Sequence, residues 1–257
     1  MSAITRTTPS GTAFAALPIH GGEAAPTLLL LAMAGMDTLT TEPYCRVGSL
    51  LHQLGWNVVS LDLPCHGADR RNGEPPELAG WAARTGRGED IVAPFQERAN
   101  DVVDHLIAAG FADPAHIAAA GTSRGGFMAF HAAASSPHIR AIAAFSPVTD
   151  LLALTEFAGL EEDPLACRLT LLNAVEALAG RAAWITIGDQ DERVGTRNAI
   201  ALAEALSTTS CGSGAAGPVT LRVLPTPGHC SFPEWHDEAA EWLQGEGRRL
   251  PGSWPLS

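Results

Sequence analysis

A serine, a carboxylate and a histidine stand in loops directly after three strand-like runs, in that order along the chain, and together they could perform covalent acyl transfer. The serine is Ser123, within Gly121-Thr-Ser-Arg-Gly-Gly126. An apolar run over 116–120 precedes it and a helix-like stretch over 124–135 follows. A serine on so sharp a strand-to-helix turn holds a strained backbone, so the residues two before and two after it must be small. Gly121 and Gly125 meet that need, and Gly126 extends the clearance into the helix. Such a turn lifts the hydroxyl away from the sheet and sets it at a helix N-terminus, where developing negative charge is favoured.

The carboxylate and the imidazole follow. Residues 182–187 are apolar and rich in large or β-branched side chains, the pattern of a buried strand, and they run into Gly188-Asp-Gln-Asp-Glu-Arg-Val194. Residues 219–224 alternate and read as the last strand, ending in Pro225-Thr-Pro-Gly-His-Cys230. His229 stands out among nine histidines because Pro-Gly forces a turn between that strand and a final helix. A serine hydroxyl is a poor nucleophile at neutral pH; a histidine can take its proton, and an acid behind the histidine fixes the tautomer. Each residue also has a plainer reading. Ser123 could simply cap the helix after it. Asp191 could be a turn or N-cap acid for a helix beginning near Gly195. His66 and His236 compete for the histidine role, although His66 suits holding the 62–67 turn and His236 lies early in a helix.

The order Ser, Asp, His after successive strands resembles the α/β-hydrolase superfamily, and within it the dienelactone hydrolase and prolyl-oligopeptidase-like branch. That branch often carries Gly-x-x-Asp-x-x-Val after its penultimate strand, matched by Gly188, Asp191 and Val194, and Gly-His before its final helix, matched by Gly228 and His229. Asp62-Leu-Pro-Cys-His-Gly67 is similar to the Asp-x-Pro-x-His-Gly turn common at that point of these proteins. The likeness covers about residues 12 to 245. It implies an α/β-hydrolase fold: a mostly parallel central sheet flanked by helices, with a small helical lid. It implies Ser123, Asp191 (rather than Asp189) and His229 as catalytic residues, with no cofactor and no metal. The reaction it implies is cleavage of a small-molecule carboxylic ester through an acyl-enzyme. The alternatives are a peptidase or amidase of the oligopeptidase type, which usually carries a propeller domain not seen here, or a lyase or ligand-binding use of the fold.

For the oxyanion, the resemblance points to the backbone N–H of Arg124 and to a second donor in the loop after the strand over 27–33. The usual His-Gly of that loop is replaced by Ala32-Met33-Ala34-Gly35-Met36. Gly35 is the expected donor and Met36 the alternative, with Met36 and Arg124 also expected to touch substrate. The Arg124 side chain has two readings: into the pocket, against a substrate carboxylate, or outward, against an acid on a neighbouring helix.

The elements that position these residues follow from the same pattern. Residues 12–19 read as an edge strand, 27–33 as a central strand, 42–54 as a helix, 57–62 as a strand, 91–109 as a helix and 141–146 as a strand. Residues 195–206 and 234–243 are the last two helices, with 208–217 a small flexible loop. Residues 68–90 are polar and read as a surface excursion near the active site, its Arg70, Arg71, Arg84 and Arg87 solvated. Residues 150–178 have helical periodicity broken at Asp163-Pro164, and the surplus length suggests a lid over about 150–170. No repeat or linker divides the chain, so 1–257 is expected to be one domain.

Composition excludes several classes. The chain has 257 residues, 46% hydrophobic and 17% charged, too apolar for disorder. Its net charge of −12 argues against nucleic acid or an anionic membrane as partner. The expected partner is a small-molecule ester, with a homodimer left open. Residues 1–10 lack a hydrophobic signal core, and the five cysteines show no Cys-x-x-Cys spacing, so a cytoplasmic protein with unpaired thiols is expected.

Overall fold

Eight strands form one sheet in a computed structural model that describes residues 2–20, 24–213 and 217–246. They are β1 (Ile4–Thr7), β2 (Ala13–Ala16), β3 (Ala25–Leu31), β4 (Asn57–Ser60), β5 (Ala112–Thr122), β6 (Ile139–Phe145), β7 (Ala182–Gly188) and β8 (Val219–Leu224). Across the sheet they lie in the order β1-β2-β4-β3-β5-β6-β7-β8. The pairings of β1 with β2 and of β2 with β4 are antiparallel, and those from β4 to β8 are parallel. The helices are α1 (Gly35–Thr40), α2 (Arg46–Gln53), α3 (Glu77–Thr85), α4 (Ala93–Ala108), α5 (Arg124–Ser135), α6 (Pro164–Arg168), α7 (Thr196–Ser213) and α8 (Pro233–Glu246). This is the α/β-hydrolase fold that the residue order implies.

The central strands are apolar throughout because both of their faces are covered. In β3, Leu28 and Leu30 pack with Val47 and Leu51 of α2 and Trp235 of α8, while Leu29 and Leu31 pack with Phe95 of α4 and Phe127 and Phe130 of α5. Alternate leucines of one strand thus join two separate cores, each buried large side chain contributing ~1.5–3 kcal/mol. β5 and β6 are rich in alanine, and the small side chains let α5 lie close enough for its phenylalanines to fill the space. Active-site loops leave the carboxyl ends of β3, β5, β7 and β8, the side on which parallel sheets present ligands.

The structure departs from the sequence expectations in five places. The strand over 12–19 is β2, and it is not the edge, because β1 pairs outside it; four residues are too few to carry a readable pattern. The helix expected over 42–54 begins at Arg46, and a separate α1 forms at Gly35, within the expected loop. The 68–90 segment contains α3, whose Trp81 is fully buried and donates its indole N–H to the Pro64 carbonyl at 2.6 Å. Arg84, expected to be solvated, is buried; its Nε reaches Glu74 at 3.0 Å and its Nη1 reaches Asp69 at 2.6 Å. Arg70, Arg71 and Arg87 are exposed as expected; polar composition misled only for Arg84, whose charge is paired with Asp69 and Glu74 and not with water. Residues 150–178 hold three single 3₁₀ turns (Leu151–Ala153, Thr155–Phe157, Leu171–Ala174) and the short α6, with Asp150 and Asp163 capping their own turns. Finally, α7 continues to Ser213, so most of the loop expected over 208–217 is helical, and its residues 214–216 lie outside the described residues. Among the described residues no helix is long and apolar enough to cross a membrane.

Candidate active site

Ser123 sits between β5 and α5 with φ 54° and ψ −115°, a conformation L-residues rarely adopt. The backbone holds it there. Its N–H donates to the Phe145 carbonyl at 2.8 Å, and its own carbonyl accepts from Val148 at 3.0 Å and Phe127 at 3.2 Å. The glycines do what the sequence requires of them. A Cβ on Gly121 would fall on the backbone of Gly125, and one on Gly125 would fall on the Leu31 carbonyl at the end of β3. One on Gly126 would stand 2.8 Å from Cβ of Pro147.

Three side chains from three loops meet at this turn. His229 Nε2 lies 3.1 Å from Ser123 Oγ, and His229 Nδ1 lies 2.8 Å from Asp191 Oδ2. The second carboxylate oxygen of Asp191 accepts the backbone N–H groups of Arg193 (3.1 Å) and Val194 (3.2 Å), and its carbonyl receives those of Gly195 and Thr196. The Asp191 side chain is wholly buried while His229 is partly exposed. Burial pushes the Asp191 carboxyl up, but the His229 hydrogen bond, the His229 charge and the two amides outweigh it and hold the group below the usual carboxylate range.

Asp189, the competing acid, does a different job: its Oδ1 accepts the Thr226 N–H at 3.0 Å, fastening the histidine loop to the acid loop. Thr226 Oγ1 donates to the Gly228 carbonyl at 3.0 Å, and Gly228 takes φ 138°. Gly188 is needed because a Cβ there would overlap Thr226 Oγ1. From the other side Ser146, itself strained at φ 42°, donates Oγ–H to the Cys230 carbonyl at 2.8 Å. The competing histidines lie elsewhere. His66 is buried and donates Nδ1–H to the Pro64 carbonyl at 2.8 Å; burial pushes its pKa down. His236 stacks on Phe145 at 3.9 Å, with Nε2 2.8 Å from Ser231 Oγ, and burial pushes it down to about 4.

A cavity of about 480 Å³ opens over Ser123. Ala32, Pro43 and Tyr44 line it from the loops after β3, Glu77 and Leu78 from α3, and Glu156 from the 150–178 segment. Arg124 and Arg193 complete its polar wall. Arg124 lines the cavity, and its side chain meets an acid on a neighbouring helix, as the second of its sequence readings has it: Nη1 donates to Glu77 Oε2 at 2.5 Å.

Two expectations for the loop after β3 need correction. The Gly35 N–H, expected in the oxyanion hole, donates to Asp62 Oδ1 at 2.7 Å and is taken out of reach. Met36, expected to touch substrate, is exposed and does not line the cavity, because α1 turns the chain outward at Gly35. The Met33 amide is engaged as well, donating to Thr38 Oγ1 at 3.0 Å. The sequence signal for Gly35 would have been Asp62, a carboxylate five residues before Gly67 whose other oxygen takes the Ala68 N–H at 2.7 Å. Ser146 and Asp189, which tie down the histidine loop, and Glu77, which lines the cavity, are neighbours of the site that sequence reasoning did not single out as such. Among the described residues no group of three or more His, Cys, Asp or Glu side chains is placed to hold a metal ion.

A mostly parallel sheet with a strained serine after its central strand defines a serine hydrolase of the α/β-hydrolase superfamily. Residues 94–246 match the prolyl oligopeptidase family, and the chain belongs to it. Comparison with curated proteins gave no match. Solved structures share the fold. TT1662 from Thermus thermophilus is 21% identical, with a TM-score of 0.71 over 97% of this chain and 100% of its own. Acetyl xylan esterase 1 from Thermoanaerobacterium sp. JW/SL YS485 is 12% identical, with a TM-score of 0.66 over 95% of this chain and 82% of its own. A puromycin-hydrolyzing peptidase of Mycobacterium tuberculosis is 16% identical, with a TM-score of 0.68 over 96% of this chain and 40% of its own. At these identities the likeness is one of fold.

Proposed function

We propose that this protein cleaves the carboxylic ester of a small molecule, with Ser123 as nucleophile, His229 as general base and acid, and Asp191 as the group that orients the histidine. The observation that carries the reading is the continuous array Asp191 Oδ2, His229 Nδ1, His229 Nε2, Ser123 Oγ, with spacings of 2.8 and 3.1 Å, at the floor of a cavity. The Nδ1–H bond to Asp191 leaves the Nε2 lone pair facing the hydroxyl, the tautomer a base requires. His229 takes the Ser123 proton as Oγ bonds to the ester carbon, and the carbonyl π electrons move to oxygen. Collapse of that tetrahedral species breaks the bond to the alcohol oxygen, which leaves with the proton from His229. Water then repeats the sequence on the acyl-serine, releasing the acid.

The oxyanion needs fixed donors, worth ~3–4 kcal/mol each. The Arg124 N–H supplies one. With the Met33 and Gly35 amides engaged, we take the amide of Ala32, a residue that lines the cavity, as the other. An acetyl xylan esterase and a puromycin-hydrolyzing peptidase both share this fold, so the ratio of ester to amide cleavage is the measurement that decides the substrate class. We take residues 150–170, through Glu156, as the lid of the pocket. The test is direct. A fluorophosphonate should label Ser123 alone, and Ser123→Ala should lower the hydrolysis of p-nitrophenyl esters by about 10⁴-fold or more with the melting temperature kept. Near-full activity in that variant would remove Ser123 from the mechanism, and faster cleavage of aminoacyl amides than of matched esters would move the substrate class.

A further inference from the structure

Two arginine–carboxylate pairs line the cavity, and they differ. The pair of Arg193 and Glu156 is closed: Arg193 Nη2 donates to Glu156 Oε1 at 2.5 Å and Nη1 to Thr155 Oγ1 at 2.8 Å, while that hydroxyl donates to Glu156 Oε2 at 3.3 Å. The pair of Arg124 and Glu77 is open. It is joined by one hydrogen bond, and among the described residues Arg124 Nε and Nη2 and Glu77 Oε1 have no protein partner. Glu77 also takes φ 57°, where glycine would sit without strain, and its N–H is tied to the carbonyl of Cys65, itself at φ 60°. Among the described residues the other two side-chain-bearing ones strained in this way are Ser123 and Ser146, both already placed at the site. Strain in a side-chain-bearing residue persists where the surrounding structure imposes it, and such positions gather at ligand sites. Here the strained turn holds a carboxylate, 56% exposed, over the residue next to the nucleophile.

Building on the ester-hydrolase reading, we propose that Glu77 and Arg124 form a subsite for an uncharged, hydroxyl-rich part of the substrate, a polyol or sugar-like group. The charges of the pair cancel. A substrate carboxylate seated on Arg124 would meet Glu77, in a protein that already carries a net charge of −12. A substrate ammonium seated on Glu77 would meet Arg124. A hydroxyl escapes both penalties, because it accepts from Arg124 Nη2 and donates to Glu77 Oε1, and neighbouring hydroxyls can fill both groups at once. Tyr44 and Pro43, from a different segment, give the same cavity an apolar surface for the C–H face of such a group. The hydrogen bond from Arg124 holds the Glu77 carboxyl below its ordinary range, so the acceptor is ionised at neutral pH.

The experiment compares kcat/KM for three acetates: an acetylated methyl glucoside, cyclohexyl acetate and 4-acetoxycyclohexanecarboxylate. The wild type should favour the glucoside over cyclohexyl acetate by about tenfold or more, the size expected for hydrogen bonds to charged groups. Glu77→Gln and Arg124→Met should each lower that ratio by about tenfold. Glu77→Gly suits the left-handed turn, so its melting temperature should hold while the ratio still falls. A wild-type ratio near one, a ratio unmoved by Glu77→Gly, or preference for the carboxylate ester would overturn the subsite and leave the ester-hydrolase reading standing. Failure to cleave any of the three, with no fluorophosphonate label on Ser123, would overturn both.

Discussion

The turn that carries Ser123 and the loop that carries His229 meet at one site, yet they are held in opposite ways. The serine turn is fixed by exclusion: Gly121 and Gly125 admit backbone, and Gly126 the Pro147 ring, where any Cβ would collide, and backbone hydrogen bonds do the rest. The histidine loop is fixed by long-range side-chain hydrogen bonds, from the Thr226 amide to Asp189 Oδ1 and from the Ser146 hydroxyl to the Cys230 carbonyl. The first device is local in sequence and tolerates no substitution. The second is distributed over 37 and 84 residues of separation, and each of its bonds can be removed singly. Perturbing the serine turn should therefore be all-or-none, and perturbing the histidine loop should be graded.

The largest expected effect lies where the two meet. Asp191→Asn keeps the size of the side chain but presents an amide to His229 Nδ1, favouring the tautomer in which Nε2 carries the proton. Activity on a p-nitrophenyl ester should fall about 10⁴-fold with little change in KM. Asp189→Asn should cost far less, since Asp189 touches only the loop. The reverse ranking would transfer the orienting role to Asp189.

Next comes the steric device. Gly125→Ala places a methyl group on the Leu31 carbonyl, where backbone and not a flexible side chain must move. Overpacking of this kind costs ~1–3 kcal/mol and more when backbone is displaced, so urea unfolding should show a loss of about 3 kcal/mol or no folded protein. A variant as stable as the wild type would mean that the turn is not set by exclusion.

This contrast also explains what was legible in the sequence. Gly121, Ser123, Gly125 and Gly126 announce their turn because the constraint is carried by adjacent residues. Asp191 and His229 were legible because each follows a strand-like run at a Gly-bearing turn. The role of Asp189 was not, since its partner Thr226 lies in another loop, and nothing near Ser146 signals a bond to Cys230. The same holds for Gly35. Its identity suggested a free amide, but Asp62 claims that amide from across the β3–β4 gap. For α3, charge suggested solvent, while Arg84, Asp69 and Glu74 in fact pair with one another. The strands of the central sheet were readable because burial on both faces leaves an unbroken apolar run, and β1 was not because four residues, none of them buried, carry no period.

Each region also carries one buried histidine, and the pair sets an acid limit. His131 of α5 lies against Phe127 with Nε2 3.0 Å from the Leu169 carbonyl, and His236 of α8 stacks under the histidine loop. Burial pushes both down to about 4 from 6.5. Below pH 6.5 the unfolded chain takes up protons that the folded chain refuses, so stability is full above that pH and is lost as pH falls toward 4. Each histidine should contribute up to about 3 kcal/mol of that loss. Thermal melts from pH 7 to 4 should show it, and His236→Phe should flatten part of the slope. An unchanged slope would mean that His236 is already charged in the folded state.

The smallest effect separates position from stability in the histidine loop. Ser146 is at φ 42° and donates to the Cys230 carbonyl next to His229. Ser146→Ala removes the hydrogen bond and keeps the strain; Ser146→Gly removes both. Losing a buried donor and leaving a carbonyl unpaired costs ~1–3 kcal/mol, while relief of a left-handed residue returns about 1 kcal/mol. The Gly variant should therefore melt higher than the Ala variant. If the bond aims His229, both should lose about tenfold in kcat with KM nearly unchanged, because neither retains the hydroxyl. Activity that tracks melting temperature across the two variants would instead make Ser146 a purely structural residue, and the loop would then be aimed by Asp189 and Thr226 alone.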